Sequence, residues 1–335
     1  MASTMIPPPS APAFLAAHGW AGARIEPLAG DASFRRYFRV IDGDRRAVLM
    51  DAPPEHEDVR PFLAIARHLC AHGFSAPRDL AVDLEQGLLL LEDFGDDRVG
   101  PVLARDASPE DAIYRDAIDI LAALGRKALP EVAPYDAAVL EREVLLLPEW
   151  YGPAAGLSLD EASWLAAWRR VWGDMLAESR VDPVLVLRDY HADNLMLLPE
   201  RDGLKRLGLL DFQDALAGHR AYDLVSLLQD ARRDVSPALE AAMLDRYADA
   251  AGITDRVGFR AAYEVLGAQR NSKILGIFTR LWRRDGKGHY RAFQPRVWGY
   301  LERNLAHPAL APVRQWFDAH VPVEARADFW REHAA

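Results

Sequence analysis

The sequence is short of cysteine, of long apolar runs and of positive charge. Cys70 is the only cysteine among 335 residues, so no internal disulfide forms and a zinc site built on cysteines has no partners. It sits in "AIARHLCAHG", where a reduced thiol on an apolar helix face is expected. No apolar stretch approaches the roughly 18 residues that a membrane-spanning helix needs. The opening "MASTMIPPPSAPAF" has no basic region followed by an apolar core, which predicts no secretory leader and a cytoplasmic protein. The formal net charge is −10. That argues against nucleic acid as the main partner, because binding to its backbone leans on an excess of Lys and Arg. No internal repeat is evident, and no low-complexity segment beyond the Pro-rich beginning. What the chain does have is apolar material: half of its residues are hydrophobic, enough for two domains or for one domain of two lobes.

The first part reads as a small β-rich lobe. "ARIEPLAG" and "RRYFRVI" alternate as strands, "DGD" at 42–44 is a hairpin turn, and "RRAVLMDA" is the third strand. "EHEDVRPFLAIARHLCAHG" carries Phe62, Ile65 and Leu69 at helical spacing and stops at Gly73. "RDLAVD" and "GLLLLEDF" follow as strands. After Gly95 the texture turns helical. Ser108 and Pro109 open one helix, and Ser158 with Glu161 forms a capping box for another. The stripe Trp164, Leu165, Trp168, Val171, Trp172 and Met175 marks a buried face of that second helix. Core packing explains this stripe better than an aromatic ligand cage does.

The decapeptide "LRDYHADNLM", Leu187 to Met196, packs its polarity between the apolar runs "PVLVL" and "LMLL", and "RLGLLD" follows. Asp189 and Asn194 are five apart, and Asp211 closes the next strand in "LLDFQD". This set suits phosphoryl transfer. One carboxylate, Asp189, takes or orients the proton of the attacking hydroxyl. Asn194 and Asp211 offer oxygen ligands to Mg²⁺ from two neighbouring segments. Turn-capping by Asp and Asn is the ordinary alternative for either segment alone, but the two in this order favour the kinase reading. His191 reads as a loop residue rather than a ligand.

The loop resembles the kinase pattern H-R-D-L-x-x-x-N, with Leu187 in place of the histidine. "LLDFQDALAGHRAYDLVSLL" resembles the metal-binding segment of the aminoglycoside phosphotransferase and choline kinase superfamily, with Asp211, Phe212, Gly218, Tyr222, Asp223 and Leu224 in the matching places. The resemblance implies an α+β, bilobal, protein-kinase-like fold. Residues 1–94 would be a nucleotide-binding N-lobe with an antiparallel sheet and one helix. Residues 95–335 would be a larger helical C-lobe with the catalytic loop and acceptor site. It also implies that Asp223 is structural, accepting hydrogen bonds that hold the loop. ATP would lie on the β-rich lobe, its adenine bonded by main-chain groups around Glu92 and Phe94 and its phosphates covered by the loop that contains Gly30 and Ser33. Kinases place a lysine on the third strand; here Met50 stands there. Arg35, Arg36 and Arg39 either replace its charge at the phosphates or form a solvated strand edge.

For the acceptor, Arg270, Lys273 and Arg280 share one predicted helix face in "QRNSKILGIFTRL". They form either a solvated face or a site for an anion. That segment, with "GDASFRRYFRV", "VLMDAPP", "LLLLEDFGD" and "LLLPEWY", resembles the bacterial anomeric sugar kinases of cell-wall recycling over about residues 25–310. The resemblance implies ATP-dependent phosphorylation of N-acetylmuramate or N-acetylglucosamine at the C1 hydroxyl. Arg270 and Lys273 would then meet the lactyl carboxylate of N-acetylmuramate. Glu149, Trp150 and Tyr151 would either line the sugar site or simply pack. Two other readings stand beside this one. An aminoglycoside or other small-alcohol phosphotransferase fits the loop, although a polycationic acceptor would not suit a basic helix face. A catalytically silent nucleotide-binding module fits the Met50 departure. A protein kinase fits less well, because no alanine-proline-glutamate segment follows Asp211.

Overall fold

A computed structural model of the protein describes residues 5–28 and 34–327. Gly30 and Ser33 lie outside them. In chain order the elements are α1 (Ala11–Ala17), β1 (Arg24–Pro27), β2 (Arg36–Asp42), β3 (Arg45–Asp51), α2 (Arg60–Ala71), β4 (Asp79–Asp83), β5 (Leu88–Glu92), α3 (Val99–Arg105), α4 (Glu110–Leu124) and α5 (Ala137–Val144). A π-helical turn (Leu147–Tyr151) leads to the single turn α6 (Gly152–Ala154), α7 (Glu161–Arg169) and α8 (Gly173–Val181). Four short strands follow, β6 (Val184–Val186), β7 (Leu195–Leu197), β8 (Leu207–Leu209) and β9 (Leu216–Gly218). The rest is helical: α9 (Tyr222–Leu228), α10 (Pro237–Ala250), α11 (Arg256–Arg283), α12 (Gln294–Leu305) and α13 (Ala311–His320).

The chain divides into two compact units, Met1–Ala107 with Asp193–Asp214, and Ser108–Ala192 with Ala215–Ala335. The first unit is built on an antiparallel sheet of order β1-β2-β3-β5-β4. Strand alternation puts Phe38, Val40, Ala47, Leu49, Leu88 and Leu90 on one face, where Phe14 and Leu15 of α1 and Trp20 cover them. The other face carries Tyr37, Arg39, Val48, Met50, Leu89 and Leu91. The expected hairpin is present: Asp42 pairs with Arg45, and Gly43 takes φ +58° in the two-residue turn.

The boundary expected at residue 94 differs from this division for a local reason. After β5 the chain stays with the first unit, where the Leu197 amide donates to the Asp97 carbonyl at 2.8 Å and Arg98 bridges Met196. The β7–β8 hairpin, expected in the helical lobe, packs there as well. The Leu209 amide donates to the Ser75 carbonyl at 2.8 Å, and Phe212 stacks on Phe62 at 5.2 Å.

The second unit is helical, with β6 paired to β9. The tryptophan stripe is core: Trp164 and Trp168 are fully buried, and the Trp164 indole donates to the Val144 carbonyl at 3.0 Å. The one helix expected to carry it is two, broken between Arg169 and Gly173. The cap is Asp160 rather than Ser158, its carboxylate accepting from the Ser163 amide at 2.7 Å. Helix α4 starts at Glu110, so Pro109 stands just before it rather than at its first position. The longest helix, α11, packs closely against the end of α5. A Cβ at Gly276 would collide with the Leu146 carbonyl, so glycine there permits backbone-to-helix contact.

Candidate active site

Strand β6 ends in a loop held by one carboxylate. Asp223, in the first turn of α9, accepts from the Leu187 amide at 2.7 Å and the Arg188 amide at 2.9 Å. Arg188 stands at φ +70°, a conformation that an arginine adopts only when its surroundings impose it. Asp223 is buried. Burial pushes its carboxyl up to about 7, against the pull of the two amides and of Arg270.

Asp189 follows the strained residue, with its carboxylate about half exposed and Arg270 Nη2 at 3.8 Å from its Oδ1. Tyr190 turns inward and donates to the Ala117 carbonyl at 2.8 Å. His191 is buried, with Nε2 at 3.2 Å from Arg232 Nη1. Burial and that guanidinium hold the imidazole well below its ordinary pKa, so it stays neutral and serves the packing of the loop.

A cluster that the sequence did not reveal lies under the loop. Glu143 of α5 is buried and accepts from four groups. Its Oε1 takes Arg188 Nη2 at 2.5 Å and Lys273 Nζ at 2.7 Å. Its Oε2 takes Gln269 Nε2 at 2.9 Å and the Tyr135 hydroxyl. The only hint was a glutamate in an apolar stripe with Leu140, Val144 and Leu147. Burial opposes ionisation of Glu143, but Lys273 and Arg188 overcome it and draw the carboxyl down to about 2. A carboxyl held below its unfolded value of 4.5 binds fewer protons in the folded state. Its contribution is therefore complete above that value and drains away as the pH falls through the folded one. From that difference it is about 3 kcal/mol at neutral pH, of which about 2 kcal/mol is gone by pH 3. The stability difference between wild type and Glu143→Gln is expected to shrink by that amount between pH 7 and pH 3 in urea unfolding. A gap that is constant with pH would show that Glu143 is not the ionised centre of the cluster.

These contacts separate the basic stripe expected on α11. Lys273 turns to Glu143, and Arg270 donates to Ser226 Oγ at 2.8 Å beside Asp189. Both are largely buried and already partnered, which leaves little of either cation for a substrate carboxylate. Tyr151 is a core residue: it is fully buried, its hydroxyl donates to the Ala325 carbonyl and accepts from the Trp298 indole at 3.1 Å. Packing replaces its expected sugar contact. Glu149 is exposed and Trp150 half-buried, both on the π-helical turn.

In the first unit, Asn194 and Asp211 come together. Asn194 Nδ2 lies 3.4 Å from Asp211 Oδ2, and the Leu210 amide donates to the Asn194 carbonyl at 3.0 Å. Asp211 takes φ +58°, a second strained backbone at a proposed functional position. Its Oδ1 accepts from Gln213 Nε2 at 2.8 Å and faces Arg35 Nη2 at 3.6 Å. Among the described residues no cluster of three or more metal-binding side chains occurs. Mg²⁺ asks for less than that, since one or two protein ligands suffice where phosphates and water complete its shell.

The three arginines expected near phosphate part company. Arg36 lies on the α1-covered face of the sheet, tied to Asp51 at 2.7 Å. Arg39 lies on the other face but grips Asp93 at 2.7 Å and Asp96 at 2.9 Å, and so ties β2 to the chain after β5. Arg35 alone approaches Asp211. Met50 is fully buried on the same face as Arg39. The Glu92 amide donates to the Arg78 carbonyl at 2.9 Å, and its carboxylate binds Arg78 and Arg201. The Phe94 ring packs on Gly208, with the Arg201 guanidinium 5.2 Å from its centroid.

The sequence profile of the phosphotransferase enzyme family (APH) matches residues 24–262. The chain belongs to this family. A Caulobacter vibrioides member, N-acetylmuramate/N-acetylglucosamine kinase, is 43% identical over 94% of this chain and 96% of its own. A Pseudomonas aeruginosa protein of the same name is 41% identical over 94% and 95%. Solved structures agree in fold. A choline/ethanolamine kinase family protein from Mesorhizobium loti superposes with a TM-score of 0.60 at 16% identity, over 91% of this chain and 98% of its own. An ADP-bound aminoglycoside phosphotransferase, APH(2'')-Ib, gives 0.53 at 13% identity, over 83% and 92%. The phosphotransferase therefore has the protein-kinase-like α+β fold, a small antiparallel sheet lobe and a helical lobe. Among the described residues no helix is long and apolar enough to cross a membrane.

Proposed function

We propose that this phosphotransferase is an ATP-dependent kinase for N-acetylmuramate and N-acetylglucosamine, transferring the γ-phosphoryl group to the anomeric C1 hydroxyl. The observation that carries the reading is 43% identity, over nearly the whole chain, to a kinase named for both sugars. The loop supports it: Asp189 is a half-exposed carboxylate on a rigidly held turn, suited to taking the hydroxyl proton as the oxygen attacks phosphorus.

The nucleotide belongs to the sheet lobe, with the main chain at Phe94 meeting the adenine edge; the expected phosphate role of Gly30 and Ser33 lies outside the described residues. Asn194 and Asp211 hold Mg²⁺, which neutralises charge on the transferring phosphoryl oxygens. Arg35 replaces the third-strand lysine. It is the one of the three arginines that lies beside Asp211, and a polyphosphate needs local positive charge in a protein of net charge −10.

The test is ADP release from the purified protein with Mg-ATP, offered N-acetylmuramate, N-acetylglucosamine, kanamycin and choline in parallel, with phosphorus NMR of the product. An anomeric sugar phosphate is the expected result. Turnover with kanamycin or choline alone, or nucleotide binding without any transfer, would sink the reading.

A further inference from the structure

Among the described residues of the helical unit, Trp150 Nε1 and Arg280 Nε are two of several buried donors without an acceptor. Along α5 and the π-helical turn, Glu143, Leu146 and Trp150 follow one another at helical spacing; along α11, Gln269, Lys273, Gly276 and Arg280 do the same. The two stripes meet in parallel order. Glu143 accepts from Gln269 and Lys273, and one turn on, the Leu146 carbonyl abuts Gly276. Continued one further turn along each stripe, this register sets Trp150 opposite Arg280, in keeping with the packing of the π-helical turn against α11. Among the described residues, Trp150 Nε1 and Arg280 Nε are buried and lack a hydrogen-bond partner. Nor does any other atom of the Arg280 side chain form a hydrogen bond or ion pair among the described residues. Asp285 lies within electrostatic reach of it, but its carboxylate is held by Arg284 at 2.7 Å.

A buried donor without an acceptor costs roughly 1–3 kcal/mol. Two of them together, one on a guanidinium, favour an anion with acceptor oxygens. The acceptor sugars of the proposed reaction differ in this respect: N-acetylmuramate carries a lactyl carboxylate and N-acetylglucosamine does not. We propose that Trp150 and Arg280 form the subsite for that carboxylate and set the preference between the two sugars. This rests on the sugar-kinase reading. Both residues belong to the same unit as Asp189. Arg270, beside Asp189, and Arg280 are ten residues apart on α11, about 15 Å along the axis.

The experiment compares wild type, Arg280→Gln, Arg280→Lys and Trp150→Phe with both sugars by steady-state kinetics, and with N-acetylmuramate by calorimetric binding. Arg280→Gln is expected to lower kcat/KM for N-acetylmuramate roughly 10–100-fold, the range of a lost charged hydrogen bond, mainly through KM. N-acetylglucosamine turnover should stay within about twofold, too small a change to represent a lost hydrogen bond, and Arg280→Lys should recover part of the loss. Equal losses for both sugars would make Arg280 a packing residue, and unchanged N-acetylmuramate kinetics would leave its carboxylate elsewhere; either result overturns the subsite. If Arg280→Gln does not fold, Trp150→Phe keeps the ring, removes one donor and decides by the same ratio. Wild type that binds N-acetylmuramate without phosphorylating it would sink the kinase reading alone, and the variants' binding would still judge the subsite. Wild type that does not bind it would overturn both.

Discussion

Asp189→Ala is expected to lower kcat by roughly 10²–10⁴-fold, the usual worth of a positioned general base, while leaving the fold intact. Its carboxylate is about half exposed, so its removal opens no cavity and buries no unpaired group. Arg270 loses its neighbour at 3.8 Å but keeps Ser226 Oγ. Asp211→Asn should be as damaging by a different route. It removes the charge that a divalent cation needs, yet asparagine tolerates the left-handed backbone that residue 211 adopts. Turnover and thermal unfolding should be measured side by side. A folded Asp189→Ala protein with wild-type turnover would remove the proposed mechanism, and an inactive but unfolded one would point to a structural role instead.

Asp223→Ala should cost both stability and turnover. Its carboxylate is the acceptor for two buried amides, and alanine leaves both without one. The expected loss is roughly 2–5 kcal/mol, which lowers Tm by roughly 3–7 °C in a protein of this size. Turnover should fall more than the remaining folded fraction explains. Arg188 holds φ +70° only under restraint, and a displacement of about 1 Å at Asp189 suffices for roughly a 10²-fold loss. Asp223→Asn discriminates further. Its amide presents one oxygen to one N–H and an NH₂ group to the other, so it should fall between alanine and wild type in Tm while remaining poorly active. Wild-type kcat in Asp223→Asn would show that the loop keeps its geometry without the second hydrogen bond.

Much of this molecule was legible before any coordinates. Alternation marked the strands of the sheet, and the turn at 42–44 is where Asp42 meets Arg45. The order of Asp189, Asn194 and Asp211 suggested their expected roles, and the role expected of Asp223 came from the family resemblance; its carboxylate accepts from the Leu187 and Arg188 amides. Alternation also contained a distinction that the grouping of arginines overlooked: residues 36 and 39 are three apart, hence on opposite faces of β2.

Other assignments had no local signal. Arg270 and Lys273 are near neighbours on one helix, yet Ser226 of α9 takes one and Glu143 of α5 the other. Glu143 and Lys273 stand 130 residues apart in the chain, and nothing in either segment names the other. Periodicity, turn chemistry and short motifs act over a few residues, so the sequence by itself determined the strands of the five-stranded sheet, most of the helices and the polar character of the loop after β6. Which buried charge neutralises which, and therefore which donors are left to meet a ligand, was decided only when the elements packed, because burial strips charges of water and makes each seek whatever partner the fold brings near.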